Sequence, residues 1–135
     1  MFGAKPNKPQ TRIDSLIGSG TRIEGNVVFS GGLRVDGEIK GDVGSAEGQA
    51  TTLVVSEQAR IEGEIRVAHL VVNGTVVGPV HATEFLELQP RSRVSGDVHY
   101  SALEMHLGAV VEGRLVHAPS AAEPKTVELK LAKST

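Results

Sequence analysis

Arg22-Ile23-Glu24-Gly25 returns letter for letter as Arg60-Ile61-Glu62-Gly63, 38 residues further on, and in looser form as Arg93-Val94-Ser95-Gly96, 33 residues after that. Each copy is followed by a second element. Leu33-Arg34-Val35-Asp36-Gly37 aligns with Leu70-Val71-Val72-Asn73-Gly74 at a spacing of 37, and Leu103 to Gly113 is a third version with two extra residues. A repeat of this kind marks a stacked architecture and has to be recognised before strands are assigned. The closing glycines fall at 25, 41, 63, 78, 96 and 113, with gaps of 16, 22, 15, 18 and 17. The long gap holds Gly44-Ser45-Ala46-Glu47-Gly48-Gln49-Ala50, a small polar stretch that reads as a loop bulging from one turn. Six markers predict about six turns.

Within each turn the pattern has period 2. Ile23, Gly25 and Val27 face one way, as do Ile61, Gly63, Ile65 and Val94, Gly96, Val98, while Arg, Glu, Asp, Lys, Asn and Ser face the other. That is a half-buried strand and not a helix. Strands of four or five residues, three to a turn with three corners, describe one rung of a parallel β-helix. A glycine at the same place in successive rungs supplies a corner where φ is positive or the backbones approach closely. Six rungs at ~4.8 Å make a rod about 29 Å long.

Composition agrees. The 135 residues suit one domain, and 24 Val or Ile against 11 Leu favour strands over a helical bundle. With no Trp, one Tyr and three Phe, the core must be narrow and aliphatic. The absence of Cys excludes a disulfide framework, a thiolate metal site and a Cys nucleophile. A net charge of −2 gives no global attraction to nucleic acid. No apolar run approaches the roughly 18 residues of a membrane span, and Phe2 is followed by Gly, Lys and Pro where a signal peptide would be apolar. The expected organisation is an all-β, single-domain, cytosolic protein. Residues 12–117 form the β-helix, and tails at 1–11 and 118–135, which hold four of the six prolines, are disordered.

A solenoid exposes unpaired backbone and an open core at its first and last turns, and natural solenoids cover them. Here both end turns are apolar and no amphipathic helix follows the last. The expectation is a self-assembling, filament-forming structural protein whose contact uses Ile13, Leu16 and Ile17 at one end and Leu107, Val110, Val111 and Leu115 at the other.

The run Ile17-Gly18-Ser19-Gly20-Thr21-Arg22-Ile23-Glu24-Gly25-Asn26-Val27, followed by Leu33-Arg34-Val35-Asp36-Gly37-Glu38-Ile39-Lys40-Gly41, resembles the bactofilins, bacterial polymer-forming cytoskeletal proteins. The resemblance covers residues 11–117. It implies a right-handed, three-sided β-helix that polymerises without nucleotide into non-polar filaments. It also implies a scaffold on the cytoplasmic face of the inner membrane that recruits cell-wall or morphogenesis proteins, and bulky apolar residues in the C-terminal contact near Gly108 to Gly113. The N-terminal tail agrees with a lipid partner: Met1 and Phe2 offer an apolar plug, and Lys5 and Lys8 follow with no acid before Asp14.

Two rivals remain at this level. A left-handed β-helix acyltransferase needs an aliphatic residue every six positions in tandem, whereas the glycine elements at 25, 37, 41 and 63 are spaced by 12, 4 and 22. A non-polymerising β-solenoid binding module results if the tails fold back over the ends. No catalytic constellation, phosphate-binding loop or cofactor motif is present, so no enzyme activity, cofactor, nucleotide, metal or nucleic-acid partner is assigned. His81, His99 and His117 are spaced by 18 and predict an outward ladder, while His69 and His106 have no such register. Arg22, Arg34, Arg60 and Arg93 beside Glu24, Asp36 and Glu62 predict a solvated face laced with cross-rung ion pairs.

Overall fold

The computed structural model describes residues 12–46 and 50–119. In them the chain forms sixteen strands, no helix, and six turns of a parallel β-solenoid. Turn one is β1 (Ser15–Ile17), β2 (Arg22–Glu24) and β3 (Val27–Phe29), and turn two is β4 (Gly31–Val35), β5 (Glu38–Lys40) and β6 (Val43–Ser45). Turn three holds β7 (Thr51–Val55), β8 (Arg60–Glu62) and the first half of β9 (Ile65–Val72), whose second half opens turn four. Turn four continues through β10 (Thr75–Val77) into β11 (Val80–Leu88), which likewise crosses into turn five. β12 (Arg93–Ser95) and β13 (Val98–Tyr100) complete turn five, and β14 (Leu103–Met105), β15 (Val110–Glu112) and β16 (Leu115–His117) make turn six. The second strands of the turns stack into a separate six-stranded sheet. The other two faces merge into one ten-stranded sheet, because β9 and β11 run unbroken around their common corner.

Most strands have three residues, shorter than the alternation suggests, because the corners absorb the flanking positions. The corner between the first and second faces comes in two lengths. It has four residues at 18–21, 56–59, 89–92 and 106–109, each closed by a backbone hydrogen bond such as Thr21 N–H to Gly18 O (3.0 Å), and only two at 36–37 and 73–74. The long gap in the repeat therefore arises twice over, from the connection after Ser45 and from the four-residue corner at 56–59. Gly44 and Ser45 themselves belong to β6 and not to a loop; residues 47–49 of the expected loop lie outside the described residues.

The inward positions stack like on like. Leu33, Leu53, Leu70, Leu86 and Leu103 form one column, and Ile23, Ile39, Ile61, Val76, Val94 and Val111 another. In the middle turns these side chains are wholly excluded from water. The core is aliphatic, and Phe29, Phe85 and Tyr100 sit only half-buried at its margins.

The six marker glycines occupy the corner between the second and third faces, and all have positive φ, from 137° to 155°. From the second turn onward each also lies against the carbonyl of the glycine below, so a Cβ at Gly63 would stand 2.1 Å from Gly41 O. Asn26, Asp42 and Asp97, each one residue past such a glycine, accept a hydrogen bond from the backbone N–H of the next turn at 2.9 to 3.1 Å. These side chains tie corner to corner.

Candidate assembly site at the two ends

At the first turn Ile17, Ile23, Val27 and Phe29 point into the core but are only half-buried, because no turn lies beneath them. Gly25 shows the same thing in the backbone: unlike its five successors it has nothing within 4 Å of where a Cβ would stand. At the sixth turn Leu103, Ala109 and Val111 are half-buried, and Met105 and Leu115 are 44% and 43% exposed. Among the described residues nothing covers either end. Each end is a strip of apolar side chains framed by strand edges.

The residues expected from sequence separate by strand parity. Ile17, Val111 and Leu115 lie in register with Val35, Val94 and Val98 and belong to the open core. Leu16 pairs with Arg34 and Val110 with Arg93, so both stand on outer faces, Leu16 60% exposed. Ile13 precedes β1, and Leu107 sits on the last four-residue corner, 94% exposed at the rim. The residues that sequence reading passed over are Ile23, Val27, Phe29, Leu103 and Met105. The signal for Ile23 was present, since it is the isoleucine of the repeat itself, equivalent to the buried Ile61. Met1, Phe2, Lys5 and Lys8 lie outside the described residues.

Beside the expected cross-rung ion pairs, as many join neighbours within one turn. Arg22–Glu24 (3.2 Å), Arg34–Asp36 (3.0 Å) and Arg60–Glu62 (2.7 Å) join residues two apart in the chain. Arg22–Glu38, Arg91–Glu57 and Arg114–Asp97 cross between turns. The Ser56 hydroxyl and the Arg34 guanidinium hold the Asp36 carboxyl below its usual range. The backbone N–H and guanidinium of Arg114 do the same for Asp97. Such exposed pairs are screened by solvent and mainly keep the faces solvated.

The histidine ladder has two members. The His81 and His99 rings stack at 4.5 Å, but His117 pairs with Tyr100, because the corner leading into turn six is one residue shorter than the one before it. A carboxylate stands beside this pair: His81 Nε2 lies 3.1 Å from Glu64. Burial, then the charges of Arg66 and His99, depress the His81 pKa below 6.5 against the opposing pull of Glu64. His106 Nε2 lies between Glu87 (3.1 Å) and Glu104 (3.0 Å), the one group among the described residues with a donor set suited to a cation. An imidazole shared by two carboxylates is also a complete hydrogen-bonded cluster without an ion. No helix of the described residues is long and apolar enough to cross a membrane.

Comparison with known proteins places this architecture. Bactofilin BacP of Myxococcus xanthus (strain DK1622) is 28% identical over 116 residues, which cover 85% of this chain and 47% of BacP. Bactofilin BacO of the same strain is 26% identical over 102 residues, 76% of this chain and 78% of BacO. The chain thus spans about half the length of BacP. No solved structure matches it. The family described as Bactofilin, polymer-forming cytoskeletal, matches residues 15–116, from the first strand to the last. This six-turn solenoid belongs to the bactofilin family of polymer-forming cytoskeletal proteins.

Proposed function

We propose that the protein assembles end to end, without nucleotide, into filaments that act as a scaffold on the cytoplasmic face of the inner membrane for cell-shape or cell-wall proteins. The observation that carries this reading is the pair of apolar ends, which nothing among the described residues covers. Ile17, Ile23, Val27 and Phe29 at one end and Leu103, Val111, Leu115 and Met105 at the other keep the stacking of the middle turns but lack a neighbour on one side. A further turn supplied by another copy buries them and completes the strand ladders. Each valine so buried contributes on the order of 1.5 kcal/mol. Ile13, Leu16, Leu107 and Val110 form the rim of this contact. A structural role, with no reaction to catalyse, fits the family.

Electron microscopy of the purified protein, with no ATP or GTP, tests the assembly, and Val111→Arg tests the contact. An arginine there brings an unpaired charge into the joint, so the variant is expected to be folded but short or monomeric. Long filaments from the variant would sink this contact, and absence of polymer in the wild type would overturn the reading. Attachment to lipid is assigned to Met1, Phe2, Lys5 and Lys8. One aromatic ring and two lysines bind weakly, at about 1 kcal/mol per lysine, but a filament presents many tails to one surface and adds them. Co-sedimentation with anionic liposomes is expected to fall both on deletion of residues 1–8 and in Val111→Arg. Undiminished binding by the deletion variant removes the tail as the anchor.

A further inference from the structure

The first face of the solenoid, built by β1, β4, β7, β9, β11 and β14, carries one outward side chain per turn in strict register: Leu16, Arg34, Val54, Val71, Glu87 and Glu104. The inward neighbours of the middle four, from Leu33 to Leu88, are at most 3% exposed, so these side chains stand out from the sheet. The column is cationic in turn two, apolar in turns three and four, and anionic in turns five and six. We propose that this face pairs laterally with the same face of a second copy lying antiparallel to it, about a two-fold axis along the strand direction between turns three and four.

That operation sets turn two of one copy over turn five of the other, and turn three over turn four. Arg34 then meets Glu87 of the second copy, Val54 meets Val71, and at the two margins Leu16 falls beside Glu104, each contact made twice because a two-fold interface is isologous. In the adjacent columns the Gln89 amide faces the Asp36 carboxylate, while Phe85, half-buried, falls against the Arg12–Ile13 backbone that covers Gly32. Within one copy Arg34 holds Asp36 at 3.0 Å and Gln89 donates to Glu87 at 3.3 Å. The paired arrangement lets these four groups exchange partners between copies. The parallel alternative puts Arg34 over Arg34 and Glu87 over Glu87, so charge selects the antiparallel sense. The occupant is a second copy and not an anionic bilayer, which Glu87 and Glu104 repel.

One such contact is small, and it gains strength when the face repeats along a filament. For that strength alone the inference rests on end-to-end assembly, and the two are read separately: filament length reports the ends, filament width the face. The test is electron microscopy and analytical ultracentrifugation of the full chain as wild type, Arg34→Glu, Glu87→Arg and the double swap. Wild-type filaments are expected to lie in pairs that separate in high salt. Each single reversal is expected to lower the paired fraction at least tenfold without shortening the filaments, and the double swap to restore pairing. Restoration also shows that the reversals leave the fold intact. Only single-width wild-type filaments, singles that remain paired, or a folded double swap that stays unpaired would each overturn the proposal. If the wild type forms no filaments, ultracentrifugation decides: a dimer lost in the singles and regained in the swap supports the face, and a monomer refutes it. Anionic-liposome binding that depends on Arg34 would reassign the face to lipid.

Discussion

Turns three to five and turns one and six use the same alphabet, yet their side chains meet different surroundings. Ile61, Val72, Val76 and Leu88 are at 0% exposure, whereas Ile17, Ile23 and Val111, at equivalent positions, are half-exposed, and Leu115, the counterpart of Val80 and Val98, is 43% exposed. Nothing in residue type separates the two groups. The difference is one missing neighbour ~4.8 Å away. In a solenoid, burial is a property of position in the stack, and a terminal turn is a core position waiting for a partner.

The sharpest way to break this comparison is through the glycine ladder. Gly63→Ala places a Cβ 2.1 Å from a backbone oxygen at φ +151°, where nothing flexible can yield. It is expected to cost more than about 4 kcal/mol and to leave little folded protein by circular dichroism. Gly25→Ala has the same backbone problem at φ +140° but an empty space before it. It pays only the strain, about 1–3 kcal/mol, and is expected to fold. Equal losses at the two sites would show that strain and not stacking governs the corners.

Next in size is a pair of leucines. Leu70→Ala empties a site closed on all sides and is expected to cost about 3 kcal/mol, read by chemical denaturation. Leu115→Ala, already 43% exposed, is expected to cost less than about 1.5 kcal/mol in the unassembled chain. A larger loss there would mean that the sixth turn is covered after all.

A smaller effect comes from pH. In the unfolded chain His81 takes up a proton near 6.5, while in the fold burial, Arg66 and His99 disfavour the charged ring and only Glu64 supports it. Below pH 6.5 the unfolded state therefore binds more protons, and stability falls with pH until the folded His81 also protonates. His81→Gln is expected to flatten the dependence of Tm on pH below about 6.5. An unchanged slope would exclude the stacked pair as its source.

The smallest expected change is a gain. Ser92 is fully buried, its hydroxyl has no partner, and it fills the corner position that Ala59 and Ala109 occupy in other four-residue corners. Ser92→Ala is expected to raise stability by up to about 1 kcal/mol, seen as a slightly higher Tm. A loss would reveal a partner for the hydroxyl.

The repeat of Arg-Ile-Glu-Gly, the period-2 alternation and the six glycines were sufficient to read an all-strand solenoid of six turns, because each turn must satisfy the same stacking rule and so carries the same letters. Strand parity at the ends was not legible. Leu16 and Val110 look as apolar as Ile17 and Val111, and only the register with Arg34 and Arg93 shows that they face outward. A shift of one residue exchanges the two faces of a strand, and corner lengths of four or two residues set that shift without a strong sequence mark. His117 illustrates it: the same spacing of 18 that stacks His99 on His81 carries His117 past His99 to Tyr100, because one corner is a residue shorter. The Glu87–His106 contact and the column from Leu16 to Glu104 likewise join residues 16 to 20 apart in the chain through stacking alone. The sequence by itself determined what each turn is made of, since side-chain alternation and glycine corners are local. Only the tertiary structure decided which turn each side chain rests on, because register is the sum of all the corners before it.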